Sequence, residues 1–467
     1  MADKHDVVII GGGPGGYAAA LYGASAGLDV ALVEKAKVGG TCLHVGCVPA
    51  KELLETAAVY RTVSGAKEFG INAGAPTVEW AVTLERKGRI VDQLANGLRS
   101  LLRGRKVTIA EGVGRLSGKG SVTVAGGDGA ETTLEGDHVI LAAGSVPRTL
   151  PGFDVDGKLV VTSDELLSMA DLPGSAAVIG GGAIGCEFAS MLSDLGVQVT
   201  ILEALPRILA GVDKDVGDVI ARSFKKRGIA THTGVKVSGH TPEPDGNSTT
   251  VQFGEGQSVT VDLVVMSVGR RPFADQLDLD GSGVTLDERG FVEVDGRCRT
   301  AAEGVWAVGD LIATPALAHV GFAEAVVAVR DILGEGPVPV DYDRVPWCIY
   351  SHPEVSFVGY SEEQAKEKGF EVVTSKHRPA GNSRAMILGE TEGLVKVIAE
   401  RKSDGTGGRV LGVHMAGPWV TEQLGQGYLA VNWEANVDEV AQFLQPHPTL
   451  SELFGETMLS LTGRSLH

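Results

Sequence analysis

The stretch DVVIIGGGPGG, residues 6–16, decides the fold. Residues 6–10 form a short apolar run that reads as a buried strand. Gly11, Gly13 and Gly16 follow at G-x-G-x-x-G spacing, and then YAAALYGASAG (17–27) reads as a helix. A second apolar run, DVALVE (29–34), ends on Glu34. The same phrase returns downstream. SAAVIGGGAIG (175–185) carries Gly180, Gly182 and Gly185, CEFASMLSDLG (186–196) is the helix, and VQVTILE (197–203) ends on Glu203. In both copies the acid lies 23 positions after the first glycine. The first glycine of such a unit makes the turn from strand to helix. The second lets a pyrophosphate approach the backbone, and the third lets helix and strand pack closely. The helix N-terminus offers unpaired N–H groups and a partial positive charge, and the acid accepts ribose hydroxyls. One such motif is weak evidence, but strand, glycines, helix, strand and acid in register twice predict two adenine dinucleotides. Glu203 would repel a 2′-phosphate and accept a free 2′-hydroxyl, which favours NAD over NADP at the second site. Arg207, four residues on, is too indirect to reverse this.

The bulk properties agree. A chain of 467 residues exceeds one ordinary core and predicts several domains. Aromatic content is 5% and glycines number 65, which suits an α/β protein with many close backbone approaches. The formal charge of −18 repels nucleic acid and anionic lipid, and no basic run offsets it. The N-terminus runs almost directly into a strand, with neither a signal peptide's apolar core nor a basic transit segment, so a cytoplasmic location is expected. A Pro/Gly-rich link, GEGPVPVDYDRVP (334–346), marks a boundary, and the residues beyond it carry no nucleotide motif.

Between the first unit and the rest stands GGTCLHVGCVPAK, residues 39–51. Zinc sites generally need a second cysteine pair or two histidines, and here there is only His44, so no metal is expected. Cys186, Cys298 and Cys348 stand alone and read as structural thiols. Cys42 and Cys47 read best as a redox disulfide. Five steps of regular helix advance about 7.5 Å on rise alone, so the segment must leave regular helix, and Gly46 and Pro49 suit that. A helix N-terminus beside the pair would favour the thiolate.

With GGTCLHVGCVPAK after one dinucleotide fold, a second such fold, GVWAVGD (304–310) and HPTLSE (447–452), the chain resembles the FAD-dependent pyridine nucleotide–disulfide oxidoreductases over essentially its whole length. Within them it looks most like the branch that oxidises dihydrolipoamide with NAD; glutathione- or mycothione-type reductases are the alternative. The resemblance implies an α/β chain with two Rossmann-like dinucleotide-binding domains, a central domain and an α+β dimer-interface domain. The boundaries expected are 1–150 for FAD, 151–273 for NAD, 274–345 for the centre and 346–467 for the interface. It implies that Cys42 exchanges with substrate, that Cys47 faces the flavin, and that His447, oriented by Glu452, is the base, supplied across a homodimer. FAD contacts carried over are Gly11, Gly13, Gly16, Glu34, Gly40, Thr41, Lys51, Gly114, Ala143, Gly144, Ser145 and Asp310, with Ala316, Leu317, Ala318 and His319 at a helix start beside the flavin. NAD contacts carried over are Gly180, Gly182, Gly185, Glu187, Glu203, Val237 and Gly269. The implied partners are lipoyl domains of 2-oxoacid dehydrogenase complexes or a glycine-cleavage carrier protein. His44 and the VGFAEA stretch after LAH depart from the family's usual pattern.

Overall fold

The computed structural model describes residues 3–127 and 129–466. The first glycine unit folds as predicted. Strand Asp3–Ile10, helix Pro14–Ser25 and strand Val30–Glu34 open a sheet in which Thr108–Glu111, Val30–Glu34, Asp3–Ile10 and Glu131–Leu141 run parallel in that spatial order. Val305–Ala307 adds a further parallel strand beside Glu131–Leu141. The first sheet therefore takes in a strand from far beyond residue 150.

The second unit repeats the order. Ala230–Thr233, Gln198–Glu203, Ser175–Ile179, Leu263–Met266 and Val160–Val161 form one parallel sheet. In both folds an antiparallel meander makes the crossover to the fourth strand. Val113–Gly118 and Ser121–Ala125 do this in the first, and Val237–Pro242, Thr249–Phe253 and Gln257–Val261 in the second. The duplication thus extends past the glycines and acids to the connections.

Residues 274–345 build no sheet of their own. Their helix Ala318–Ile332 buries Ala325, Ala328 and Val329 in the same core as Val7, Ile9 and Ala20 of the first fold. The expected central domain is thus continuous with the first fold's packing. The C-terminal region is a five-stranded antiparallel sheet in the order Trp347–Ile349, Glu354–Gly359, Gly407–Gly417, Leu394–Arg401, Val372–His377. Helices Val420–Asn432 and Glu452–Leu461 cover it. Among the described residues no helix is long and apolar enough to cross a membrane.

Two features lock the second fold in place. One apolar core runs from Leu53 and Ala57 of helix Cys47–Gly65, through Phe188 and Leu192, to Ile349 and Val355 of the C-terminal sheet. Beside it lies a buried ion cluster. Lys396 of the C-terminal sheet reaches Asp213 at 2.9 Å, Asp215 at 2.6 Å and Glu362 at 2.8 Å. Asp213 also caps helix Lys214–Lys226 by accepting from the Asp215 N–H at 3.0 Å. The Lys396 and Asp213 side chains are each 2% exposed, so removing either leaves its partner charged and out of water. We expect Lys396→Ala to lower the unfolding free energy by about 3–5 kcal/mol, read from denaturant unfolding of the FAD-loaded protein. A loss below ~1 kcal/mol, the ceiling usual for exposed pairs, would show the cluster to be no more than surface pairing.

Candidate active site

The glycine turns are enforced by contact. A Cβ on Gly16 would lie 1.8 Å from the Gly11 carbonyl oxygen, and one on Gly185 would lie 1.9 Å from that of Gly180. Gly11 and Gly180 share φ +105 and press on the backbone of Ala142 and Ser267. Gly182, by contrast, faces open space. The acids close each unit. Glu34 accepts from the N–H groups of Gly12 at 2.7 Å and Ala36 at 2.8 Å. Glu203 accepts from Gly181 at 2.5 Å and Leu205 at 2.7 Å. Both carboxylates are thereby aimed at the ends of their sheets.

Both folds open into one cleft of about 1470 Å³. Of the residues proposed from sequence, Gly11, Gly13, Glu34, Gly40, Thr41, Lys51, Gly114, Ala143, Gly144, Ser145, Asp310, Ala316, Leu317 and Ala318 line it on the first side. Gly180, Gly182, Glu187, Glu203, Val237 and Gly269 line it on the second. Gly16 and Gly185 do not reach it; they act in the packing just described. His319 also lies outside, its Nε2 2.8 Å from the Pro346 carbonyl.

A dinucleotide pair fits this cleft on its own chemistry. Helices Pro14–Ser25, Ala183–Asp194 and Ala318–Ile332 all begin at its wall, and none has a side-chain cap. Their first-turn N–H groups have no helical partner and suit phosphate or an anionic ring. Arg207, the cation nearest to Glu203 in sequence, is engaged elsewhere, by the Ala210 carbonyl and Glu363 at 3.1 Å each. A residue the sequence did not single out is Arg270. It donates to the Ser145 hydroxyl and carbonyl, both at 2.7 Å, while the Ser145 hydroxyl donates to Asp310 at 2.6 Å. Its only sequence signal is its place after Gly269.

Cys42 and Cys47 sit in the cleft where the two folds meet. Helix Gly40–His44 carries Cys42 and ends at Val45, and Gly46 restarts the chain as helix Cys47–Gly65. The predicted break is therefore present, and Cys47 stands at the first position of the second helix. The two stand as free thiols, the reduced form of the expected pair. Their acidities are driven apart. The hydrogen bond with Cys42 brings the Cys47 thiol down to about 7, and Lys51 helps. The same hydrogen bond, together with burial, pushes the Cys42 thiol far up. Cys42 is the proton donor and Cys47 the thiolate. Lys51 in turn lies 2.9 Å and 3.0 Å from the Glu187 carboxylate, which also accepts from the Tyr350 N–H at 2.8 Å. Glu187 thus joins both folds and the C-terminal sheet.

His447 is not in this cleft. Its Nδ1 lies 2.8 Å from Glu452 Oε1, and Glu452 Oε2 accepts from the Thr449 N–H at 2.8 Å. The imidazole side chain is 71% exposed, and the pair is assembled outside the cleft.

Residues 5–325 match the family model described as pyridine nucleotide-disulphide oxidoreductase, and residues 345–458 match that family's dimerisation domain. The chain belongs to this family. It is a flavoprotein oxidoreductase using FAD and NAD. It is 40% identical to the dihydrolipoyl dehydrogenase of Bacillus subtilis and 38% identical to that of Zymomonas mobilis, with all of this chain and all of the relative covered in each case. Among solved structures, LpdA from Mycobacterium tuberculosis superposes with a TM-score of 0.91 at 26% identity, covering 98% of this chain and 100% of that one. The HOCl-induced flavoprotein disulfide reductase RclA from Escherichia coli superposes at 0.86 and 28% identity, covering 98% and 99%.

In this oxidoreductase the reduced protein should show one thiol titrating near pH 7, the value Cys47 is brought down to. Thiolate absorbance against pH checks it. The step should vanish in Cys47→Ser and move upward in Lys51→Met, because Lys51 stabilises the charged form. A step that survives in Cys47→Ser would assign the thiolate to Cys42.

Proposed function

We propose that this chain oxidises a dihydrolipoyl dithiol, carried on a partner protein, to its disulfide and reduces NAD+ to NADH with release of one proton. The observation that carries the reading is the Cys42–Cys47 pair of opposed acidity at the seam of two dinucleotide folds. Full-length identity to dihydrolipoyl dehydrogenases supports the choice of substrate.

In the oxidised form the two cysteines are joined. A substrate thiolate attacks Cys42, and Cys47 leaves as the thiolate its surroundings favour. The second substrate thiol then displaces Cys42, its proton passing to the leaving sulfur, which releases the substrate disulfide and a Cys42 thiol. His447 takes the substrate proton, with Glu452 fixing its tautomer. The pair lies outside its own chain's cleft, within residues matching a dimerisation domain, so we read it as serving the neighbouring subunit's cysteines in a homodimer. When bound, FAD supplies the two-electron relay between the thiols and the nicotinamide. Gly11, Gly13, Glu34, Ser145 and Asp310 would hold FAD, and the start of helix Ala318–Ile332 would face its anionic ring. Gly180, Gly182 and Glu203 would hold NAD, and Lys51 with Glu187 would stand between the two. The partners would be lipoyl domains of a 2-oxoacid dehydrogenase complex or a glycine-cleavage carrier, and the place of action the cytoplasm.

Purified enzyme should form NADH from dihydrolipoamide and NAD+ and be poor with NADP+. Preference for NADPH with glutathione or mycothione disulfide would replace this reading. Glu203→Arg should weaken NADH and improve NADPH, because a hydroxyl acceptor is lost and a phosphate partner gained. KM values for both cofactors measure it; an unchanged ratio would remove Glu203 from cofactor choice. His447→Gln should bind FAD, stay dimeric and lose turnover by roughly 10²–10⁴. Mixed dimers of His447→Gln with Cys47→Ser should regain activity, since one of their two sites is intact. No recovery in verified mixed dimers would place the histidine in its own subunit's site.

A further inference from the structure

Helix Ala318–Ile332 carries a carboxylate that the redox chemistry does not use. Glu324 is 0% exposed. Among the described residues no Lys, Arg or His pairs with it, and its three hydrogen-bond donors are neutral. Oε2 accepts from the Gly309 N–H at 2.6 Å, and Oε1 accepts from the Thr314 hydroxyl at 2.7 Å and the Tyr342 hydroxyl at 3.0 Å. Burying a carboxylate without a counter-cation is unfavourable, and an apolar side chain would be easier to pack. What the carboxylate supplies is one acceptor for donors from three separate segments. The first of these matters most. Gly309 opens the turn Gly309–Leu311, which sets Asp310 in the cleft wall. The turn lies against the backbone of both neighbouring helices. A Cβ on Gly15 would stand 3.7 Å from the Gly309 nitrogen, and one on Gly321 would stand 3.6 Å from the Gly309 Cα. Backbone bonds hold the chain on either side of it: the Val308 N–H donates to the Leu141 carbonyl, and the Val292 N–H to the Leu311 carbonyl, both at 3.0 Å. The Gly309 N–H, immediately before Asp310, is left to Glu324. From the cleft side the Asp310 carboxylate accepts from the Ser145 hydroxyl at 2.6 Å, and Arg270 Nε lies 3.9 Å away. Glu324 itself does not line the cleft.

We propose that Glu324 is a positioning residue of the FAD site: from behind the cleft wall it fixes the turn that presents Asp310 to the cofactor. This rests on the reading of Asp310 as an FAD contact and adds a residue that acts through it. The geometry also says which replacement the site tolerates. Gln keeps a carbonyl oxygen for the Gly309 N–H, and the Thr314 and Tyr342 hydroxyls can turn to accept from its amide. Ala leaves all three donors without that acceptor.

The test is the dissociation constant of FAD, read from the flavin fluorescence released as the holoenzyme is diluted, in a double-mutant cycle with Asp310. Glu324→Ala should raise it roughly 10- to 100-fold, the effect of leaving a buried donor unpaired. Glu324→Gln should bring it back to within about threefold of wild type. Asp310→Ala should also raise it roughly 10- to 100-fold, the scale of a hydrogen bond to a charged group. Adding Glu324→Ala to Asp310→Ala should then raise it by less than about threefold more, because a residue that acts through Asp310 has nothing left to position. Should Glu324→Ala not accumulate as folded holoenzyme, Glu324→Asp, which keeps the charge but withdraws it by a methylene, goes through the same cycle with a rise of roughly 3- to 10-fold expected. A loss that adds in full to that of Asp310→Ala, or unchanged FAD affinity in both Glu324→Ala and Glu324→Asp, overturns this inference alone. Unchanged affinity in Asp310→Ala overturns the reading of Asp310 and this inference with it.

Discussion

The first N–H groups of any helix lack partners within it, and they must find acceptors in a side chain, in water or in a ligand. In this molecule three helices, Pro14–Ser25, Ala183–Asp194 and Ala318–Ile332, leave that need unmet by any side-chain cap and turn it toward the same cleft. The rest of the architecture serves that convergence. Parallel strands bring the first two helix starts to the ends of their sheets. Glycines remove the side chains that would fill the approach. Two carboxylates, braced by backbone N–H groups, stand at the cleft wall. The third helix arrives from a different part of the chain, and only the packing of residues beyond 274 on the first fold brings its start to the cleft.

The redox pair exploits the same physics on a smaller scale. Gly46 interrupts the chain between two helices, so Cys47 begins one helix while Cys42 lies within another. Position alone would make Cys47 the better thiolate. The hydrogen bond between the sulfurs then widens the difference, because whichever thiol keeps its proton stabilises the other without it. Lys51 adds a positive charge, and Glu187, 136 positions away in sequence, holds that lysine in place.

Much of this could be read from the chain. Both dinucleotide folds, their acids and the break at Gly46 follow from glycine spacing and apolar runs, because local backbone demands fix them. Other features depend on what meets what across the fold. Val305–Ala307 gives no sign in its sequence of joining a sheet begun 300 residues earlier. Arg270 looks like any loop cation until Ser145 and Asp310 are beside it. Lys396, in a strand of ordinary pattern, is buried only because three acids from the second fold and the neighbouring helix come to it. The placement of Gly16 and Gly185 away from the cleft was available in principle, since the third glycine of such a motif packs helix on strand. His447 lies outside its own cleft, and no spacing in a single chain could announce that.

The Lys396 cluster and the core running from Leu53 to Val355 have a bearing on time. Many enzymes close a lid or swing a domain at each turnover, and such motions occupy microseconds to milliseconds. Here the second nucleotide fold is bolted to the C-terminal sheet and, through Asp194 with Arg61, to the helix that begins at Cys47. A wall so fixed has little room to swing. Nucleotide exchange would then proceed through a standing opening, with no wall to lift away between one turnover and the next.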